Sequence, residues 1–231
     1  MRSADPETAL PERAALLRAA IGIGIYAAAF GATFAAVSVN SGLSVAQTFV
    51  LSVVMFSGAS QFAFIGVIAA GGSPFAAIPA ALLLGVRNAF YGVPVSAVLA
   101  PRGLTRVWKA HFVIDETTAM AIGQSTARAK RYAFWATGLI LFALWLVGTV
   151  LGALIGTAID PAAFGLDAAA PAIYLALLWP GLKTWTARGV AIAGAGVALV
   201  LVPLVPAGVP VVAAAGVAII AGLLPRRRRV G

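Results

Sequence analysis

Long apolar runs separated by short polar connectors dominate the chain. The runs cover about 19–39, 45–70, 74–100, 110–126, 132–157, 171–187, 189–206 and 210–224. A hydrocarbon core about 30 Å thick is crossed by a helix of about 20 apolar residues, so the runs predict membrane-spanning helices. They are apolar all round, whereas strands of a membrane barrel alternate in polarity. The pattern therefore predicts an all-α, polytopic membrane helix bundle.

The basic residues between the runs indicate which ends face the cytoplasm. Clusters of Lys and Arg occur at 102–109, 128–131, 183–188 and 226–229, whereas the loop 160–167 has two acids and no basic residue. Under the positive-inside rule the clusters lie inside and the acidic loop outside. This predicts about seven transmembrane helices (six to eight), with the N-terminus outside and run 110–126 interfacial or re-entrant. The alternative is eight spans with both termini inside, which places three basic residues on the wrong face.

The composition supports a membrane location and excludes several classes of function. Of the 231 residues, 61% are hydrophobic and 10% are charged, which leaves little length for a soluble domain. We expect a polar segment over 1–18, one transmembrane transport domain over 19–224 and a basic tail over 225–231, in the cell (inner) membrane. The net charge of +9 comes from the clusters between the runs, so the expected surroundings are a lipid bilayer and no nucleic acid. Without cysteine, disulfides and thiol catalysis are excluded.

Two glycine pairs suggest an internal repeat. They share one spacing: Gly42 with Gly58, and Gly165 with Gly181. If the arms 19–100 and 132–206 are three-helix repeats, the predicted topology makes them inverted, with interrupted helices, as in many secondary transporters. Chance matches in a chain with 25 glycines are an equally good explanation.

A polar break interrupts the second run. Ser57, Gly58, Ser60 and Gln61 lie between two apolar stretches. A glycine flanked by hydroxyls can interrupt a helix at mid-membrane and free main-chain groups, which a cavity or a substrate then satisfies. The alternative is a kinked helix whose serines bond back to their own turn. The first interpretation makes these four residues candidates for substrate binding.

Arg87, Asn88 and Tyr91 form a second polar cluster, inside the third run. A charge at bilayer depth is costly and faces an interior or a wet cavity. Arg87 can hold a carboxylate through two parallel hydrogen bonds, while Asn88 and Tyr91 orient the substrate. Alternatively, Arg87 forms a structural ion pair with Asp115 or Glu116 and needs no ligand.

Asp115 and Glu116 form the third cluster, inside run 110–126. A carboxylate in a partly dry site can exchange a proton near neutral pH. The two acids are therefore candidates for proton coupling or for an ion pair with Arg87. If run 110–126 only lies at the interface, both acids are simply solvated.

At these three clusters the chain resembles the AzlC family of branched-chain amino acid permeases and exporters. The Gly-Ala-Ser-Gln-Phe stretch of that family corresponds to 58–62, its Arg-His-x-x-Tyr-Gly-like stretch to 87–92, and its acidic pair to Asp115 and Glu116. The chain departs from the family at Gly85, where Asn or Asp is frequent, and at Asn88, where histidine is usual.

The resemblance implies export of valine, leucine, isoleucine or similar amino acids. From the residues we expect secondary transport by alternating access, with protonation of Asp115 or Glu116 biasing the two access states. The resemblance also implies a small AzlD-like membrane subunit as a partner, and it calls for no cofactor. The chain contains no G-x-x-x-x-G-K-[ST] phosphate loop, so it does not hydrolyse ATP by that route. We expect no enzymatic activity.

Two alternatives belong to other classes of function. An intramembrane hydrolase could use Ser60 as its nucleophile, but it needs a base within hydrogen-bond reach. The only histidine, His111, lies at a predicted membrane boundary, where an interfacial role is expected. A non-catalytic assembly subunit would present the small-residue face of Gly148, Gly152 and Gly156, a pattern typical of close helix packing, to a partner.

Overall fold

The computed structural model describes residues 6–100, 102–158, 175, 178–206 and 208–223. Within these residues the chain forms helices and no strand, as the apolar pattern predicts. The helices are α1 (Pro6–Asn40), α2 (Val45–Val54), α3 (Gly58–Ala69), α4 (Pro74–Leu99), α5 (Thr105–His111), α6 (Asp115–Ile122), α7 (Ala127–Ala158), α8 (Trp185–Leu201) and α9 (Val209–Leu223), with a 3-10 turn at Trp179–Gly181. The predicted loop 160–167 and tail 225–231 lie outside the described residues.

Among the described helices, α1, α4 and α7 are the three that are long and apolar enough to cross a membrane. The other apolar helices are shorter, with 10 to 17 residues. The protein is thus a helical, multi-pass membrane protein. The first helix begins at Pro6, inside the predicted polar segment 1–18, and continues into the first apolar run without a break.

The pair of α1 and α7 forms the centre of the fold. Gly148, Gly152 and Gly156 of α7 lie against Ala28, Ala32 and Ala36 of α1, in the same order. The two helices therefore run parallel, with main chains in contact. The small-residue pattern predicted such packing, but its partner is α1 of the same chain. This face is therefore not free to bind another subunit, as the assembly alternative requires.

The first half of run 45–70 folds back along α1 towards the middle of the α1–α7 pair. Thr48 hydrogen-bonds through its hydroxyl to Ser38, near the end of α1, at 2.7 Å. One turn later, Ser52 bonds to Thr149 of α7 at 3.1 Å. The helix then ends at Val54, and three residues, 55–57, separate it from the start of α3.

The second half of this run turns back to the side from which α2 came. Ile68, near the end of α3, lines one apolar groove together with Leu43, which precedes α2. Accordingly, α2 and α3 form a re-entrant hairpin, here called the outer hairpin, with its tip at residues 55–57. The sequence prediction treated 45–70 as a full span. Hydropathy and run length are the same for one crossing and for two half-crossings, so only the contacts distinguish them.

The turns at the open end of the outer hairpin are specified by local sequence. Gly42 and Gly71 adopt positive φ angles of 96° and 83°, which glycine tolerates without a steric penalty. Ser44 caps α2 and forms a capping box with Gln47, and Ser73 caps α4. These caps satisfy amide groups that the first turn of a helix leaves without partners.

A second re-entrant hairpin, the inner hairpin, enters from the opposite end. It consists of α5 and α6 with its tip at residues 112–114. Lys109 of α5 donates to the carbonyl oxygen of Leu99, at the end of α4, at 2.8 Å. Thr117 of α6 lies beside Gly138 of α7, and the chain then reaches the start of α7. Of the two possibilities that the sequence left for run 110–126, the structure shows the re-entrant one.

The path through three crossings changes the predicted orientation of the N-terminus. Because α1 and α7 run parallel and α4 runs between them in the opposite direction, the start of α1 lies at the same face as the basic stretches 102–109 and 128–131. Under the positive-inside rule this face is cytoplasmic. On this rule the start of α1 is expected inside, whereas the sequence analysis expected the N-terminus outside. The difference arises because run 45–70 folds back and does not cross the membrane.

The last two described helices also form a hairpin. Gly194 of α8 packs against Ala214 of α9, and Gly208 at the start of α9 lies against Ala76 near the start of α4. This arrangement brings the basic residues Lys183 and Arg188 to the cytoplasmic side, as predicted.

The predicted repeat arms 19–100 and 132–206 begin with α1 and α7. Those helices are parallel, whereas an inverted repeat would run them in opposite directions. Gly165, one of the glycines that suggested the repeat, lies outside the described residues.

Candidate functional site

The tips of the two hairpins meet at mid-depth. Phe56, in the outer tip, packs against Phe112 of the inner tip with ring centroids 5.8 Å apart, and against Phe142 of α7 at 4.9 Å. His111 joins this aromatic cluster, 5.8 Å from the ring of Phe56. The sequence placed His111 at a membrane boundary, but α5 carries it to the tip of the inner hairpin.

A cavity of about 220 Å³, the first cavity, lies beside the meeting point. Its polar lining comes from both tips and from α4: Ser57, Gly58, Arg87, Asp115 and Glu116. Aromatic rings form much of the remaining wall, from Tyr26, Phe30, Phe56 and Trp145. Charged groups and apolar rings thus surround a space large enough for a small amphipathic solute.

Arg87 and Asp115 form an ion pair in this cavity. The Arg87 Nη1 atom lies 3.6 Å from Asp115 Oδ2, and the two side chains are 41% and 47% exposed. The Nε atom of Arg87 is buried and lacks a hydrogen-bond partner among the described residues. Asp115 and Glu116 occupy the first turn of α6, where the helix dipole favours negative charge. The guanidinium therefore keeps unused donor capacity beside two acids.

The main chain at the outer tip is not helical, because α2 ends at Val54 and α3 begins at Gly58. The Ser57 amide bonds to the carbonyl of Met55, and the hydroxyls of Ser57 and Ser60 lie 3.1 Å apart. Gln61 is fully buried; its Nε2 atom donates to the Met55 carbonyl at 2.5 Å, while its Oε1 atom has no partner among the described residues. The predicted interruption at Ser57 and Gly58 is present, in place of a continuous kinked helix.

A second cavity, of about 570 Å³, lies on the other side of the outer tip. Its polar groups come from Ser57, Ser60, Asn88 and His111, and the rest of its lining is mainly apolar. The Oδ1 atom of Asn88 is buried without a hydrogen-bond partner among the described residues.

The predicted site residues thus occupy four different places. The first cavity brings together Ser57, Gly58, Arg87, Asp115 and Glu116, and the second cavity is lined by Ser57, Ser60 and Asn88. Gln61 supports the outer tip from behind. Tyr91 packs against the main hydrophobic cluster and lines neither of these two cavities.

Trp145 is a wall residue that the sequence analysis did not identify. Its indole Nε1 donates to Ser52 at 3.3 Å, and a Cβ atom on Gly58 would lie 3.0 Å from its ring. It therefore connects the outer hairpin to α7 at the edge of the first cavity. The sequence offered one signal, a tryptophan in the centre of an apolar run. A buried indole N–H usually finds an acceptor, so such a tryptophan indicates a specific contact.

Comparison with known proteins identifies the family. The AzlC protein family matches residues 22–159, which include both hairpins and all the predicted site residues. Inner membrane protein YgaZ of Escherichia coli (strain K12) is 27% identical over 147 residues, which cover 59% of this chain and 60% of that relative. The chain thus spans about three fifths of the length of that relative. No solved structure matches the chain. The protein belongs to the AzlC family and is a multi-pass inner membrane protein.

Proposed function

We propose that the chain is the permease subunit of an exporter for branched-chain amino acids (valine, leucine and isoleucine). The observation that carries the proposal is the first cavity, where the Arg87–Asp115 pair faces the interrupted α2–α3 segment. A charge pair at mid-depth beside an interrupted helix suits a solute that carries both an ammonium and a carboxylate. The choice of branched-chain side chains comes from the family resemblance.

The charges of the cavity suggest how the solute binds. Its carboxylate would take the place of Asp115 on the guanidinium of Arg87, which can hold a carboxylate through two donors. Its ammonium would face the released Asp115 and Glu116. Its aliphatic side chain would rest on the aromatic wall of Phe30 and Trp145. Ser57 and Gly58 would contribute hydrogen bonds from the tip.

The same exchange provides a route to proton coupling and alternating access. Two acids line the cavity with one guanidinium, so ionisation of both acids would leave an excess negative charge, which is costly in a partly dry site. Protonation of Asp115 or Glu116 would remove that excess. When a solute carboxylate displaces Asp115, the net charge of the cavity changes again. This change would favour one of the two states, open to the inside or open to the outside, over the other.

We further propose that a small AzlD-like membrane subunit covers the mouth of the first cavity. Tyr26 is 62% exposed, and Arg87 and Asp115 are nearly half exposed. Charges that face lipid at mid-depth are unfavourable, so a protein neighbour at this face would stabilise the pair.

The geometry favours a permease over an intramembrane hydrolase. A serine nucleophile requires a base in hydrogen-bond contact, and the hydrogen bond that the structure shows for the Ser60 hydroxyl is to Ser57. We therefore propose a transport protein without catalytic activity.

The test is efflux of valine and leucine from cells preloaded with the corresponding dipeptides and expressing the chain with its small partner. Arg87→Ala should abolish efflux at matched membrane abundance. Arg18→Ala is the matched control, because Arg18 is exposed and distant from the cavity; it should retain efflux. Full efflux in Arg87→Ala would show that transport does not require Arg87.

A double neutral variant, Arg87→Gln with Asp115→Asn, separates folding from binding. Loss of one partner leaves an unpaired charge, with a cost between the about 1 kcal/mol of an exposed pair and the about 3–5 kcal/mol of a buried one. The double variant should therefore regain abundance relative to Asp115→Asn but remain inactive. Active efflux in the double variant would show that the ion pair serves structure alone.

A further inference from the structure

The two cavities meet at two residues. The first cavity lies against α1, α6 and α7, and the second lies against α4 and α5. The side chains that line both are Phe56 and Ser57. These are the residues between α2 and α3, where the main chain is not helical. The wall between the cavities is therefore the tip of the outer hairpin itself.

Consecutive residues of α4 serve the two cavities. Arg87 lines the first and Asn88 lines the second, because successive side chains of a helix point about 100° apart. Each residue has a buried polar atom without a partner among the described residues: Arg87 Nε, a donor, and Asn88 Oδ1, an acceptor. Buried polar atoms normally have partners. Both atoms are shielded from the cavities in this conformation, so each would gain a polar partner only when the surrounding side chains shift.

The second cavity lies towards the outer face. One of its lining residues, Ile78, is one turn from the start of α4 at Pro74, at the end opposite the basic cytoplasmic stretches. Its lining combines apolar side chains, such as Leu82 and Val86, with the polar residues Ser60 and Asn88. This lining suits a small amphipathic solute that carries a hydrogen-bond donor such as an ammonium group.

The wall is a short non-helical linker between two helices. Residues 55–57 connect two helices, and the main-chain hydrogen bond that closes the tip runs from Ser57 to Met55. The ring of Phe56 is 6% exposed and is held by aromatic contacts to Phe112 and Phe142. A change in the short linker would withdraw the ring without unfolding either helix.

We propose that the second cavity is a second binding station for the transported amino acid, and that Phe56 and Ser57 form the gate between the stations. This inference rests on the proposed function and extends it. The solute leaves the charged cavity beside Arg87, passes the displaced ring of Phe56 and reaches the acceptor of Asn88 before release outside. The gate closes again when the ring returns to Phe112 and Phe142.

Thiol labelling tests the gate, because the chain has no native cysteine. The full chain with its partner would carry a single cysteine, Ala59→Cys in the first cavity or Ile78→Cys in the second. A charged, membrane-impermeant thiol reagent added outside should label Ile78→Cys and leave Ala59→Cys unlabelled. Addition of Phe56→Ala should make Ala59→Cys reactive from outside. Phe56→Leu, which keeps most of the side-chain volume, should preserve the protection.

Two results would overturn the gate: labelling of Ala59→Cys from outside with Phe56 intact, or continued protection in the Phe56→Ala variant. Excess valine tests the station and should slow labelling at both positions. If valine protected Ala59→Cys alone, the second station would be overturned while the proposed function stood. If valine protected neither position, the station and the proposed substrate would both fail, and the labelling pattern alone would decide the gate.

Discussion

Gly152 of α7 lies so close to Ala32 of α1 that a Cβ atom on the glycine would overlap the main chain of the alanine. Main-chain atoms cannot move aside as a flexible side chain can, so Gly152→Ala must push the two helices apart. We expect a loss of stability at or above the about 1–3 kcal/mol typical of overpacking. The measurement is membrane abundance together with thermal stability in detergent.

Gly22→Ala is the control for that substitution, because it changes the same residue type on α1. A Cβ atom on Gly22 would meet no described atom within 4 Å. Alanine favours a helix by up to about 1 kcal/mol over glycine, so stability should stay constant or rise. Equal losses in the two variants would show that helix contact at Gly152 is not the cause.

The outer hairpin predicts that two connectors lie on the same side of the membrane. Asn40→Cys, before α2, and Gly72→Cys, after α3, should both react with an impermeant thiol reagent added outside. Leu104→Cys, which is 91% exposed at the opposite end, should react only after the membrane is opened. If residues 45–70 crossed the membrane once, the first two cysteines would lie on opposite sides and only one would react.

Gly58→Ala should reduce efflux more than it reduces abundance. The added Cβ atom would lie 3.0 Å from the Trp145 ring, which is held by its hydrogen bond to Ser52. The ring must then shift by a few tenths of an ångström at the wall of the first cavity, with a strain of about 1 kcal/mol. Trp145→Phe provides a smaller ring and should restore efflux in the double variant. If Trp145→Phe does not restore efflux, the loss of efflux in Gly58→Ala arises from the main chain of the tip and not from the contact with the ring.

Glu116→Gln should make efflux insensitive to the proton gradient. The substitution removes one of the two negative charges that face Arg87, so protonation no longer changes the charge of that position. The measurement compares valine efflux at acidic and alkaline external pH, with and without a protonophore. Asp115→Asn should lower abundance as well, because it breaks the pair with Arg87. An unchanged response to pH in both variants would exclude proton coupling through these acids.

The sequence predicted the class of fold and the location of the helix interruption from local chemistry. Polar residues in the middle of a long apolar run, such as Ser57 and Gln61, are costly unless the helix breaks or the groups are satisfied. The direction of the chain after the break was not predictable. Hydropathy shows which residues are apolar, but it does not show whether the chain continues across the membrane or turns back. The contacts of Thr48, Ser52 and Ile68 supply that information.

The candidate site was predictable only in part. Arg87 and Asp115 stand out because charges are rare at bilayer depth, and the structure places them 3.6 Å apart. Phe56 and Trp145 do not stand out, because an aromatic residue in an apolar run resembles ordinary core. Their position depends on how the tip packs against α7, which is a long-range relationship that no local pattern records.

The parallel contact of α1 and α7 has a mechanical consequence. Helices whose main chains touch at successive glycines cannot slide past one another without losing several close contacts at once, so this pair acts as a rigid frame. The outer hairpin, in contrast, is attached to α7 through side chains such as Ser52 and Phe56. The gate proposed above would therefore involve movement of only the few residues at the tips. A compound bound against Phe56 would block that gate without separating α1 from α7.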